Sequence, residues 1–245
     1  MNRHFLDKLR LYIKDVTLQH PYEHIIRPVR FIQKSGIEIK GHYKILDIGA
    51  YDGLTALFLN NYFPELDIYA FEPNPEAFKL LRKNTAHSSK IHCIEEAISN
   101  EKGSIPFHVT FNKVSSSVNK ILSDSLYLND TLAAQLKIEK TIHVPTNTLD
   151  SYNLGEVLLL KMDTQGNETR VISGGRNTLN KTRIIIAEMS IHKIYENGCS
   201  YFETDSALRE LGFVAIDFIV PSRKNGVVMT EFDAVYINKS YFPGM

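Results

Sequence analysis

The stretch Asp47-Ile-Gly49-Ala-Tyr-Asp-Gly53 carries the strongest chemical signal in the chain. A strand-like run from Lys44 enters a turn bearing two glycines, and an apolar helical pattern leaves it at Leu54. Glycines in such a turn let the backbone approach a ligand closely, and the unpaired N–H groups at the helix start can receive it. A second signal is Glu72, an acid ending the next strand-like run and followed by Pro73-Asn74-Pro75. A carboxylate so placed in a βαβ unit accepts hydrogen bonds from a ribose diol, so turn and acid together imply a bound nucleoside. The alternative is an acid that caps the helix opening at Pro75.

The glycine spacing selects among nucleosides. A dinucleotide site uses G-x-G-x-x-G for the pyrophosphate, whereas this turn is Gly49-x-x-x-Gly53 with Asp47 two residues before the first glycine. An acid at Asp47 repels a pyrophosphate and suits a cationic amino-acid moiety, which points to S-adenosylmethionine. Methyl transfer from that cofactor is an in-line displacement, so a protein contributes alignment and a base for the acceptor's proton. Ligands bind at the carboxyl ends of strands in open α/β sheets. The catalytic candidates there are Asp163, Glu188 and His192. Asp163 can contact the cofactor or position the acceptor, and can equally cap the helix that follows. His192 is the side-chain type best suited to proton transfer near neutral pH, although it is one of nine histidines. Glu168 is expected to stabilise a helix start or to pair with Lys161, a lysine in a buried-looking strand that needs a partner carboxylate or a route to the cleft.

These residues sit in a regular alternation. Strands are expected at Lys44–Gly49, Asp67–Glu72, Ile91–Ala97, Val157–Asp163 and Arg183–Glu188, with helices at Leu54–Tyr62, Pro75–Asn84, from about Glu168, and Glu203–Leu211. Alternating strands and helices imply a parallel sheet. Phe213–Val220 and Asp233–Asn238 lack a helix between them and should pair as an antiparallel edge hairpin around the turn-rich Pro221–Gly226. Residues 98–155 break the rhythm with Gly103, Pro106, Ser115-Ser-Ser117 and Pro145, and read as an insertion crossing one end of the sheet, with a short strand at Phe107–Phe111 and a helix at Leu132–Leu136. Residues 1–36 read as a helical cap, with apolar groups at Phe5, Leu9, Tyr12, Ile13 and Val16 and a further segment at Val29–Ile32; residues 37–245 form the main domain.

The motifs resemble those of the FkbM-type S-adenosylmethionine-dependent methyltransferases. The resemblance runs from about Ile45 to Asn238 and rests on ILDIGAYDG, FEPNP, EEAISNEKG, TLDSY and LLLKMDTQGNE, the last being the most family-specific. It implies an α/β, Rossmann-like class I methyltransferase fold, a seven-stranded mostly parallel sheet of order 3-2-1-4-5-7-6. It also implies O-methylation of a hydroxyl on a sugar, glycan or secondary metabolite, without a metal. By motif, Asp47, Gly49 and Gly53 line the methionine part of the cofactor, Glu72 holds the ribose, and Glu96 and Ala97 flank the adenine. Ala50, Tyr51, Pro73, Asn74 and Asp163 complete the expected cofactor-binding set.

Composition narrows the remaining classes. The 245 residues carry 28 Lys+Arg and 28 Asp+Glu, so no chain-wide field recruits nucleic acid or an anionic membrane. No Asn-Pro-Pro-Tyr or Asp-Pro-Pro-Tyr tetrapeptide is present, which disfavours a nucleic-acid amino-methylating enzyme. A binding or scaffold protein on the same fold stays in competition, because function lives in the site. Cys93 and Cys199 are far apart and outside any C-x-x-C spacing, which fits a reducing compartment. The longest apolar run is far short of the ~20 residues a membrane helix needs, and the expected location is the cytoplasm. The expected partner is the acceptor itself; the oligomeric state is left open, a homodimer included.

Overall fold

The computed structural model describes residues 22–122, 134, 136–224 and 228–243. The expected apolar helix at Phe5–Val16 and nearly all of that at Leu132–Leu136 lie outside the described residues. In chain order the helices are α1 (Glu23–Lys34), α2 (Leu54–Tyr62), α3 (Pro75–Thr85), α4 (Glu168–Gly174), α5 (Arg176–Leu179) and α6 (Tyr201–Glu210). The strands are β1 (Lys44–Ile48), β2 (Asp67–Phe71), β3 (Ile91–Ile94), β4 (Ala97–Ile98), β5 (Gly103–Thr110), β6 (Ile138–Asn147), β7 (Val157–Met162), β8 (Thr182–Ser190), β9 (Phe213–Lys224) and β10 (Val228–Asn238).

Seven strands form one sheet of order β3-β2-β1-β7-β8-β10-β9, which is 3-2-1-4-5-7-6 when its own strands are counted. All pairings are parallel except those of β10 with β8 and β9, so the edge hairpin forms as expected. β7 is buried at all six positions, which is why it reads as an unbroken apolar run: central parallel strands are covered on both faces. One cover is built on Ile25, Val29 and Ile32 of α1 with Ala56–Leu59 of α2 and Leu81 of α3. The other uses Val171 and Ile172 of α4, Leu179 of α5 and Leu208 of α6. α6 is capped at Ser200 by a capping box closed by Glu203 and begins at Tyr201, two residues before its expected start.

Residues 98–155 hold a second, three-stranded sheet of order β4-β6-β5. Three expectations change here. The third strand stops at Ile94, and Ala97-Ile98 pair with β6 instead. The strand expected at Phe107–Phe111 spans Gly103–Thr110. β6, unforeseen, contains Pro145, which reads as a break; β4 covers only Thr146 and Asn147, so this edge of β6 is open at Pro145, where a missing N–H is tolerated. At the hairpin, strand structure also continues through Pro221–Lys224, a stretch expected to be turn.

Candidate active site

The carboxyl ends of β1, β2 and β7 meet at one cleft. β1 leaves through Gly49 at φ 84°, and a Cβ there would stand 1.9 Å from the Asp163 carbonyl oxygen, so only glycine lets these two strand ends approach. The contact is fastened by the Asp163 N–H donating to the Ile48 carbonyl and by the Gly49 and Ala50 N–H groups donating to the Phe71 carbonyl. Tyr51 then takes φ 47° and Gly53 φ 79° before α2 begins. A Cβ on Gly53 would meet Leu81 Cδ1 at 2.5 Å, so Gly53 admits close packing of α3 against the turn and lies outside the cleft lining.

Glu72 follows β2 and lines the cleft, 6% exposed. Its Oε2 accepts from the Tyr51 N–H and its Oε1 from the Asn74 N–H, both at 2.8 Å, which ties the glycine turn to the end of β2. Burial pushes the Glu72 carboxyl up to about 7, against the pull of those two N–H donors. The alternative role of capping the next helix belongs to another residue: Asn74 Oδ1 accepts from the Glu76 N–H at the start of α3. Asn74 Nδ2 is buried without a hydrogen-bond partner.

The cleft holds about 630 Å³ of empty space, its open mouth included. Of the expected residues, Gly49, Tyr51, Glu72, Pro73, Glu96, Ala97 and Asp163 line it. Ala50 and Asn74 are buried beside it, as is Asp47. Neither carboxylate oxygen of Asp47 has a hydrogen-bond partner, and its nearest cation is Lys161 Nζ at 3.8 Å. Burial pushes Asp47 up to about 6 even with that lysine beside it. Glu96 accepts a hydrogen bond from the Tyr152 hydroxyl, and the Tyr152 ring stands edge-on to Phe71 at 5.1 Å. Phe107 of β5 and, from the segment that follows it, Lys113, Val114, Ser116 and Val118 also line the cleft.

On the α1–α2 face of the sheet, an acidic row extends the site from β7 across to β10. Lys161 Nζ lies 3.1 Å from Asp163 Oδ2. Burial pulls the lysine down, but Asp163 and Asp47 outweigh it and the net shift is upward. Asp163, 30% exposed at its side chain, is correspondingly held low: burial would raise it, and Lys161, Gln165 and Glu188 outweigh burial. Glu188 moves well up, through burial first and Asp163 second. Beyond it, Glu231 and Asp233 on β10 are each pushed up to about 7, by burial and then by Asp163.

Three expectations change at this end. Asp163 does not cap the following helix, whose N-cap is Asn167. Of the two roles expected of Glu168, it takes the place in the first turn of α4 and not the pairing with Lys161: its Oε1 accepts from the Thr164 N–H and hydroxyl and from the Gly166 N–H, closing the loop between β7 and α4. His192 is exposed and outside the cleft lining, two residues past the end of β8, so its chemical aptitude is not matched by position. Of the other two candidates Asp163 lines the cleft, whereas Glu188 lies outside its lining and meets it through Gln165. Gln165 and Asn167, both lining the cleft, are the residues that spacing misses, although the LLLKMDTQGNE block that contains them is conspicuous. Among the described residues no group of three or more His, Cys, Asp or Glu side chains is arranged to hold a metal, and no helix is long and apolar enough to cross a membrane.

A seven-stranded sheet of this order, with a glycine turn after its first strand and an acid after its second, defines the class I methyltransferase fold. The Methyltransferase FkbM domain matches residues 47–215, more than half of the chain, and the protein belongs to the FkbM methyltransferase family. It is 34% identical over 159 residues to the 2-O-methyltransferase NoeI of Sinorhizobium fredii, covering 62% of this chain and 65% of that protein's length. It is 25% identical over 205 residues to the 31-O-demethyl-FK506 methyltransferase FkbM of Streptomyces tacrolimicus, covering 75% and 77%. In fold it is similar to the methyltransferase FkbM of Methylobacillus flagellatus, at a TM-score of 0.50 and 12% identity over 90% of this chain and 48% of that one.

Proposed function

We propose that the protein is an S-adenosylmethionine-dependent O-methyltransferase acting on a hydroxyl of a sugar, glycan or secondary metabolite. The observation that carries the reading is Glu72, a buried carboxylate at the cleft wall whose only described partners are the two backbone N–H groups of the glycine turn and the FEPNP segment. A second lone pair on each oxygen is left to accept from a ribose diol. The cleft fits the cofactor in one further respect. The buried Asp47 carboxylate, paired with Lys161 at 3.8 Å but without a hydrogen bond, adds negative charge at the end of β1, which favours a cationic group there. The printed names of NoeI and FkbM, both methyltransferases of oxygen positions, support an oxygen acceptor.

Bound S-adenosylmethionine supplies an electrophilic methyl group on a sulfonium centre. The protein's own part is to hold and to take a proton. Glu72 would hold the ribose, Glu96 and Ala97 would flank the base, and the turn after β1 would face the methionine end. Asp163, held low beside Lys161 and lining the cleft, would take the proton of an acceptor hydroxyl. Glu188 stands behind Asp163 as the next carboxyl. Phe107 of β5 and the segment 113–118 after it, which line the cleft, would shape the acceptor's entrance.

Calorimetric titration tests the reading. Micromolar binding of S-adenosylmethionine and S-adenosylhomocysteine is expected, without binding of NAD. Glu72→Gln, which places an amide NH₂ against one backbone N–H and removes the charge, should weaken both adenosyl ligands at least tenfold. A folded wild-type protein that binds neither ligand would overturn the proposal.

A further inference from the structure

Gln165 occupies a position no motif assigns to chemistry, yet four hydrogen bonds from around the site converge on it. Its backbone is at φ 55°, left-handed for a residue with a Cβ, and Gly166 follows at 89°. Such a conformation persists only where the surroundings over-determine it, and here they do. The Ser117 hydroxyl donates to the Gln165 carbonyl at 2.7 Å and Asn119 Nδ2 to the Gly166 carbonyl at 3.2 Å. The side chain is fixed at both ends. Nε2 donates to Asp163 Oδ1 at 3.0 Å and to Glu188 Oε2, while Oε1 accepts from the Tyr195 hydroxyl at 2.6 Å. In this orientation the amide NH₂ faces both carboxyls; reversed, its oxygen would face the Asp163 carboxylate. The Tyr195 hydroxyl oxygen also lies 3.1 Å from the Ser115 carbonyl, in the segment after β5, although its one proton goes to the nearer Gln165 oxygen.

We infer that Gln165 is a positioning residue of the transfer site, its amide holding the Asp163 and Glu188 carboxyls in one fixed arrangement and Tyr195 holding the amide. The inference rests on the proposed function in calling the cleft a transfer site; the hydrogen-bonded arrangement itself does not. Two carboxyls in contact cannot both be ionised without large repulsion, so a neutral double donor between them suits one charge and one proton. The groups facing the pair are Lys161 from β7, Asp47 from β1, Glu231 and Asp233 from β10, and Tyr195 from the loop after β8. Lys161 favours the charge on Asp163, and the β10 acids oppose a second charge on Glu188.

The test is a carboxyl ¹³C NMR titration of the cofactor-free protein, with the two signals assigned from Asp163→Asn and Glu188→Gln. Gln165→Leu removes both donated bonds and should raise the Asp163 midpoint by about one pH unit. Gln165→Glu keeps the length but adds a third carboxylate and should raise it further. Tyr195→Phe frees the amide at its far end and should move it the same way by less. Structural damage alone predicts no such order. Unchanged Asp163 and Glu188 midpoints in both Gln165 variants, or a Gln165→Glu value below that of the leucine variant, would overturn the inference. S-adenosylmethionine titration of the wild type is run alongside; its failure would remove the proposed function, while the cofactor-free titrations would still decide the role of Gln165.

Discussion

At the amino end of the large sheet Asp67 sits among two lysines and a histidine: Lys44 Nζ at 2.8 Å, His92 Nε2 at 3.2 Å and Lys90 Nζ at 3.4 Å. At the carboxyl end Asp163, Glu188, Glu231 and Asp233 gather with Asp47 around Lys161. The Lys44 ammonium, against partial burial and with His92 in support, holds Asp67 down at about 2. Burial and mutual repulsion instead hold Glu231 and Asp233 up at about 7. One end neutralises its acid with neighbours and gains stability from it. The other keeps carboxyls that cost stability, which is the expected pattern where a site is arranged for a ligand or a proton.

Removing Lys161 strikes this contrast hardest. Lys161→Met leaves Asp47 and Asp163 as uncompensated acids, one fully buried, and should cost about 3–5 kcal/mol at pH 8. Denaturant unfolding at pH 5 should show a smaller loss, because Asp47 can then take a proton. Equal losses at both pH values would mean that packing of the lysine stem, not charge, is what Lys161 contributes.

Glycines at the two ends sharpen the comparison next. Gly49 and Gly155 have similar backbone angles, φ 84° and 78°, but a Cβ on Gly49 meets the Asp163 carbonyl at 1.9 Å whereas one on Gly155, before β7, meets nothing within 4 Å. Gly155→Ala should cost about 1 kcal/mol from backbone strain alone. Gly49→Ala adds the collision and should cost about 3 kcal/mol or more, with β1 and β7 forced apart at the cleft. Chemical denaturation of the two variants measures the difference, and equal costs would show that the strand ends can separate freely.

The same contrast explains what sequence can and cannot reveal. The parallel strands are legible because burial on both faces leaves unbroken apolar runs such as Val157–Leu160, and the edge hairpin because no helical period separates Phe213 from Asn238. Gly49 and Glu72 are legible because their task fixes residue type and spacing together. β6 is hidden by Pro145, whose tolerance depends on an open edge, although Ile142-His-Val144 already alternates. Gln165 is hidden for a deeper reason: its partners Glu188 and Tyr195 lie 23 and 30 positions away, and its role depends on a backbone angle. His192 shows the converse, a side chain apt by type but placed outside the cleft by the end of β8.

The pH dependence of stability separates the acids of the two ends. A carboxyl raised in the folded state binds its proton more tightly there than in the unfolded chain, so its contribution is present at low pH and lost as pH rises through the folded value. Asp233, moved from the ordinary range to about 7, should thus cost stability progressively between about pH 4 and 7. Asp233→Asn should flatten that stretch of a melting-temperature profile by a few degrees. A parallel, unflattened profile would place the charge penalty elsewhere in the row.

Asp67 gives the opposite sign and the smallest effect. Its carboxyl is lowered in the folded state, so its contribution is fully present above the unfolded value near 4 and disappears as pH falls toward about 2. The side chain is 25% exposed and its partners Lys90 and His92 are 40% and 43% exposed, so solvent screens much of the attraction. Asp67→Asn should therefore cost only about 1 kcal/mol at pH 7 and nothing at pH 2, with the loss shrinking further in molar salt. Paired melting curves of wild type and variant at the two pH values test this. A loss that persists at pH 2 would assign the stability at the amino end to hydrogen-bond geometry, and the contrast between the two ends would then be one of shape and not of charge.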